Sequence, residues 1–359
     1  MNLYLSSAKH IQNIRYIIPH SAIASDIAKH VLPVVKDKSG IVCETNAGLG
    51  FLTSELLDGG LHRIRLYETC SDFRLTLKGF SDVYPGKVEL FVKDLFQIWK
   101  MSYLDKVDKG CRVIQFMKGI PKREWVDDSV MTIIGTMSKL DFMMYLFRMI
   151  CFQAEMATYG RVELYSIMRP GDYLKLTAGP HCNLHTYQPI SIFANVFCRF
   201  KLIEKYPRIA FLPWESITES SRTRIFKKCD VDRLYLVHIE FKKDLPLPTK
   251  QLLPFYFFVK QIFGRGTTTI IPKLEQWISG IGLEILLTTK KYEFPDNMDI
   301  YTKTGQLKPL ELLEIFKVVY NHPNYANSSL TATIEAELLK GETIATDIAD
   351  AQSTNTNML

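Results

Sequence analysis

The chain has 359 residues, with 44 Lys and Arg against 38 Asp and Glu, a formal net charge of +6 at pH 7. A content of 47% hydrophobic and 12% aromatic residues is that of a packed globular protein and excludes a chain disordered throughout. Seven cysteines, scattered and without a CxxC pair, argue against a disulfide framework or a zinc site and for thiols in a reducing compartment.

The charge balance suits a polyanionic partner and, equally, an ordinary solvated surface. The apolar run "LLPFYFFV" at Leu252 to Val259 falls far short of the roughly 18 residues that a membrane span needs, so no contact with a membrane is expected. Before the first acid, Asp26, stand Lys9, His10, Arg15 and His20 with several serines. That composition fits an organelle transit segment over residues 1–13 and equally a basic first helix. The stretch "IRYIIPHSAIASDIAKHVLP" reads as folded.

In chain order, "GIVCE" (Gly40 to Glu44) is the first strand, followed by a glycine loop and a helix, "FLTSELLDGG", stopped by Gly59 and Gly60. "RIRLYE" (Arg63 to Glu68), "VELFVKD" (Val88 to Asp94) and "MTIIGT" (Met131 to Thr136) are the next strands. A helical pattern from Leu140 to Thr158 ends before Gly160, and "RVELYSIM" follows as a fifth strand. Strands alternating with helices predict an α/β fold with a parallel sheet covered on both faces. "RLYLVHIEFK" (Arg233 to Lys242) is a late strand, and "DLPLPTK" after it marks a boundary.

The reading is thus an α/β domain over 14–245 and a small all-helical C-terminal domain over 249–321. Residues 322–359 are expected to form a flexible acidic tail, with a short helix at "TIEAELLKG".

At the carboxyl end of the first strand of such a sheet, backbone N–H groups and a helix N-terminus converge where ligands bind. Gly48 and Gly50 let the chain approach a ligand closely, and Asn46, where a third glycine is common, is one of the few residues that tolerates positive φ. Glu68 ends the second strand, where a carboxylate can accept ribose hydroxyls, and Asp94 ends the third, where it can accept from an adenine amine. A Gly-x-Gly alone marks structural turns more often than cofactors, and each acid alone reads as a loop acid or helix cap. Together, at successive strand ends, they point to a nucleoside cofactor.

"ETNAGLGFLT" is similar to the Glu-x-Gly-Pro-Gly-x-Gly-x-Leu-Thr signature of the rRNA adenine N6-dimethyltransferases. Asn46 in place of the first glycine resembles the mitochondrial transcription factor B branch of that family, as does "YGRVELYSIM". "FVKQIFGRGTTTIIPKLEQW" resembles a C-terminal segment of the branch, with Gly266 for an arginine, and "IRYIIPHSAIASDIAKHV" the segment that closes over the cofactor. The similarity runs from about Ile14 to Tyr320 with the motifs in order. It implies a Rossmann-like methyltransferase domain and S-adenosylmethionine as cofactor, bound by Ile17, Gly48, Gly50, Glu68 and Asp94, in a monomeric protein of the mitochondrial matrix or nucleoid.

In the active family, an Asn/Asp-Leu/Ile-Pro-Tyr motif after the fourth strand holds the target adenine by hydrogen bonds and ring stacking. This chain reads "TIIGTMSKLDF" there, with neither amide nor aromatic at Gly135, Thr136 and Met137. Thr136 is the one weak polar stand-in, and Tyr145 reads as core. A second family motif is reduced to "FLPWE", where Phe211 or Trp214 remain as stacking candidates.

Basic residues for nucleic acid are densest at "RTRIFKK", namely Arg222, Arg224, Lys227 and Lys228, with Lys260 and Arg265 further on and Lys201, Lys205 and Arg208 nearby. Such clusters are commonly just solvated faces. By the resemblance, the leading expectation is an initiation factor that helps mitochondrial RNA polymerase melt promoter DNA. The alternatives are an active dimethyltransferase of small-subunit rRNA and a small-molecule methyltransferase.

Overall fold

A computed structural model of the chain describes residues 16–183, 185–213, 230, 232–263, 267–287 and 298–340. Helix α1 (Ser21–Val35) precedes β1 (Ile41–Thr45), α2 (Phe51–Asp58), β2 (Ile64–Tyr67), α3 (Ser71–Val83) and β3 (Val88–Phe91). Next come α4 (Ile98–Asp108), α5 (Arg112–Phe116), β4 (Met131–Thr136), α6 (Asp141–Phe152) and β5 (Val162–Met168). The sheet region closes with α7 (Pro170–Thr177), α8 (Pro189–Phe197), β6 (Cys198–Pro207) and β7 (Arg233–Phe241). Helices α9 (Thr249–Ile262), α10 (Ile270–Trp277), α11 (Ile281–Leu287), α12 (Pro309–Asn321) and α13 (329–340) follow.

The strands form one seven-stranded sheet in the order β3-β2-β1-β4-β5-β7-β6. The first five are parallel, as their near-continuous apolar runs require when both faces are covered, and β4 and β5 are buried along their whole lengths. The wholly parallel sheet expected from the alternation is corrected at its far edge, where β7 runs antiparallel to both β5 and β6. The sheet order reverses between β1 and β4, which opens a crevice at their carboxyl ends.

Each face of the sheet carries its own apolar cluster. On one, Val42, Leu66, Ile134 and Leu236 meet Ala24, Ile27 and Val31 of α1 and Leu52 and Leu56 of α2. On the other, Ile133, Leu164 and Ile239 meet Phe142 and Phe147 of α6 and Phe193 and Phe197 of α8, and this cluster continues into Phe255, Phe258, Leu312 and Phe316. The rings of Phe193 and Tyr256 stack at 5.4 Å, and Phe255 meets Phe316 edge-on at 5.2 Å. The C-terminal helices therefore share a core with the sheet, although "DLPLPTK" separates them in sequence. α12 starts as its sequence dictates, with Pro309 in the first turn and Glu311 accepting from the Lys308 N–H at 2.7 Å.

The tail expected to be flexible from residue 322 is ordered at its start. Residues 325–327 form a turn, α13 follows, and Leu330 and Ile334 are buried in the shared core. Residues 341–359 lie outside the described residues, as does the candidate transit segment at 1–13. Among the described residues no helix is long and apolar enough to cross a membrane.

Candidate cofactor site and acceptor clamp

The turn from β1 into α2 uses three left-handed residues, with φ of 57° at Asn46, 58° at Gly48 and 77° at Gly50. Asn46 holds its place by donating its backbone N–H to Tyr67 O at 2.9 Å and its side-chain amide to Thr136 O at 3.2 Å. The missing first glycine is thus replaced by a residue that keeps the turn and also ties β1 to β4. Side chains at Gly48 and Gly50 are shut out twice over, by backbone conformation and by space. A Cβ at Gly48 would lie 2.5 Å from Cγ2 of Ile17, and one at Gly50 would lie 2.6 Å from the Phe80 ring.

The two acids stand at the ends of adjacent strands. Glu68 is only 3% exposed, and its carboxylate accepts from the Gly48 N–H at 3.0 Å and the Cys70 N–H at 2.8 Å. Asp94 accepts from the Phe96 N–H and from the Gln97 side-chain amide, each at 3.0 Å, and so fixes the turn that leads to α4. Beneath the loop, Glu44 is fully buried against the Thr53 hydroxyl at 2.7 Å, and burial pushes its carboxyl up to about 8.

Residues 16 and 17 cross the loop as a strap. Ile17 exchanges two backbone hydrogen bonds with Leu212, both 3.0 Å, and the Thr136 hydroxyl donates to Tyr16 O at 2.6 Å. The Arg208 guanidinium lies 4.6 Å above the centre of the Tyr16 ring. Ile17 is therefore brought onto Gly48.

A small open crevice is lined by Asn46, Asp94, Phe96, Gln97, Trp99, Lys100, Ser138, Lys139 and Asp141. Of the sequence-predicted cofactor residues, Asp94 lines it, whereas Ile17 of the strap lies against Gly48, and Gly48, Gly50 and Glu68 beneath it are not part of the crevice walls. Two strand-end carboxylates and a glycine loop fit a nucleoside cofactor in kind. Here the Glu68 carboxylate is bonded to the Gly48 N–H and the Ile17 side chain lies against Gly48. The lining from Phe96 to Lys100 and from Ser138 to Asp141 was missed in the sequence, although Phe96, two residues after a recognised acid, was the signal available.

The acceptor side is less complete. Thr136 is buried with its hydroxyl committed to the strap, and Met137 is packed in the core. Phe211 is 0% exposed, its ring edge-on to Tyr206 at 6.1 Å, so it presents no face on which a base could stack. Tyr145 is core, as expected, and donates to Glu155 at 2.8 Å. Trp214, Arg222, Arg224, Lys227, Lys228 and Arg265 lie outside the described residues. Lys260 is exposed on α9, 5.5 Å from the Tyr256 ring centre, and Lys205 pairs with Asp230 at 2.8 Å. Lys201 is exposed on the edge strand β6.

Solved structures with this fold include the 23S rRNA methyltransferase ErmE, with a TM-score of 0.53 at 13% identity, covering 84% of this chain and 98% of that one. A dimethyladenosine transferase from Plasmodium falciparum gives 0.52 at 13% identity, over 83% and 95%. At such identities these matches establish the Rossmann-like methyltransferase fold alone. In sequence, the mitochondrial dimethyladenosine transferase 2 of Drosophila melanogaster is 30% identical over 362 aligned positions, 91% of this chain and 80% of that protein. Residues 4–304 match the family described as ribosomal RNA adenine dimethylase, and with that span matched the chain belongs to this family.

Proposed function

We propose that the chain is a mitochondrial transcription initiation factor that helps the organelle's RNA polymerase hold promoter DNA open, on a methyltransferase fold whose methyl transfer is weak or lost. The observation that carries this reading is the acceptor side. Where the family's adenine-binding motif would lie the chain reads Gly135, Thr136 and Met137, with neither an amide nor an aromatic side chain, and the Thr136 hydroxyl is spent on Tyr16 O. The mitochondrial setting follows the Drosophila relative's name, and the transcriptional role follows the resemblance to the transcription factor B branch.

S-adenosylmethionine would be held by the Gly48–Gly50 loop, by Glu68 at its ribose and by Asp94 at its adenine. The cofactor, when bound, supplies an electrophilic methyl group. The residues of this chain orient it, since a bare glycine backbone allows close approach and two carboxylates accept from hydroxyl and amine donors. For Glu68 to serve a ribose, its bond to the Gly48 N–H must be shared or exchanged.

Melted promoter strands would be held by phosphate contacts and base stacking. The same retained donor set favours a second reading, an active rRNA adenine dimethyltransferase with small-subunit rRNA as substrate. Two assays on the full chain decide between them: methyl incorporation into an rRNA hairpin, and run-off transcription from linear promoter DNA with the matching polymerase. Factor-dependent initiation with little methyl transfer supports the first reading. Robust methyl transfer with initiation indifferent to the factor overturns it. Asp94→Ala is expected to weaken cofactor binding tenfold or more, on the scale of a lost charged hydrogen bond of about 1.5–3 kcal/mol, while leaving initiation intact.

A further inference from the structure

Helix α3 packs inward through Phe73 and Leu77, with the Phe80 ring against Gly50, and turns its other side outward beside the edge strand β3. On that outer side Leu75, Gly79 and Val83 fall at i, i+4 and i+8, in one line along the helix. Leu75 is 81% exposed, the most of any large apolar side chain among the described residues, and Val83 is 69% exposed. Single exposed apolar side chains are ordinary, but the centre of this line is not. Glycine is the poorest helix former after proline, and Gly79 stands well inside a 13-residue helix with no left-handed φ that would require it. A Cβ there would meet no atom within 4 Å, so packing inside the chain does not call for glycine either. A bare position between two exposed apolar side chains lets another helix come as near as helices pack. Lys78 and Asp82 stand exposed on one flank of the line, and neither makes an ion pair among the described residues.

We propose that this face of α3 is a self-association surface, on which a second copy of the chain lays its own α3 antiparallel about a two-fold axis through Gly79. Such an axis sets Gly79 against Gly79 of the second copy, and Leu75 against Val83 of the second copy at each end. It also brings the same flank of both helices together. Lys78 then lies about 3 Å along the helix axis from Asp82 of the second copy, and the pair is made twice. The occupant follows from this self-complementarity, since the face supplies its own apolar ends, bare centre and opposite charges. One helix face makes a small interface, below about 1,200 Å² in total, so the association is weak and the monomer expected from the family resemblance is its dilute limit. The inference goes beyond the proposed function and does not depend on it.

Sedimentation of the full chain at low salt, from about 1 μM to about 500 μM, is the test, and the average mass is expected to climb toward two chains with a Kd of about 10–100 μM. Gly79→Gln puts a side chain at the centre of the contact and is expected to weaken association by at least about tenfold. The same variant should melt no earlier than wild type, because glutamine is the better helix former, and this separates a lost contact from a lost fold. Lys78→Asp is expected to weaken association by about fivefold, and Lys78→Asp combined with Asp82→Lys to return it to within about twofold of wild type. A single-chain mass over the whole range overturns the proposal. So does a dimer that Gly79→Gln leaves as tight as wild type, or a charge exchange that fails to recover what Lys78→Asp loses.

Discussion

Glu44 is an acid that pairs with no cation among the described residues, buried near the end of β1 with the Thr53 hydroxyl as its donor. Burial, reinforced by the nearby Glu68 charge, raises it from 4.5 to about 8. A raised carboxyl gives no penalty below 4.5, where folded and unfolded states are both protonated. Between 4.5 and 8 the unfolded state ionises and the folded state does not, so stability falls by roughly 1 kcal/mol per pH unit, and the loss is complete above about 8. Glu44→Gln keeps an acceptor for Thr53 and removes the titration. Its melting temperature should match wild type near pH 4 and exceed it progressively toward pH 8, and parallel curves would show that Glu44 does not titrate in this range. Glu163 on β5 has the opposite sign. Burial pushes it up, but hydrogen bonds from His238, at 2.6 Å, and Lys38 outweigh burial and hold it at about 2. Its contribution is present above the ordinary carboxylate value and is lost as pH falls toward 2. His238→Ala should therefore cost about 1.5–3 kcal/mol in denaturant melts at neutral pH, and the deficit should shrink as Glu163 becomes protonated.

At the scale of elements, the strap lies over the glycine loop through Ile17 and Gly48, and Thr136 is its fastening on β4. Thr136→Val removes the 2.6 Å bond and leaves Tyr16 O without that donor, a loss of about 1 kcal/mol. Amide exchange at Ile17 and Leu212 should then quicken about fivefold; unchanged exchange would show that the Ile17–Leu212 bridge and the Arg208–Tyr16 contact hold the strap unaided. The elements of the site divide by what local pattern can reveal. Gly48, Gly50, Glu68 and Asp94 were legible because each follows a strand, and strand ends are set by local apolar runs. The bond from Thr136 to Tyr16 joins residues 120 apart, and no spacing rule announces it. Strand β6 was hidden for a different reason. Cys198, Phe200 and Leu202 alternate with Arg199 and Lys201, and Ile203 continues that alternation onto the other face, but a bulge between Leu202 and Glu204 shifts the phase so that Tyr206 packs there as well. A period-2 pattern interrupted after five residues, with Lys201 and Lys205 among them and after them, is too short and too basic to stand out as a strand.

For the whole molecule the question is whether the C-terminal helices form a unit of their own. Composition favoured that reading, because "DLPLPTK" breaks the pattern and everything after it is helical. Packing favours the contrary, since Phe255 and Tyr256 of α9 lie against Phe193 of α8, and Phe316 of α12 against Phe255. α13 extends the same core through Leu330 and Ile334, and its Ser329 hydroxyl donates to Gln276 O at 2.9 Å. Leu330→Ala, at a position with no exposure, should cost about 2–4 kcal/mol from lost burial and the cavity left behind. Because that cavity opens into a core shared with the sheet, the loss should appear as one cooperative transition moved to lower temperature, with helical and aromatic signals melting together. A separate early transition in the helical signal, with the sheet's aromatic signal unmoved, would instead mean that the helices after Thr249 unfold by themselves and that the rings of α8 and α9 only touch.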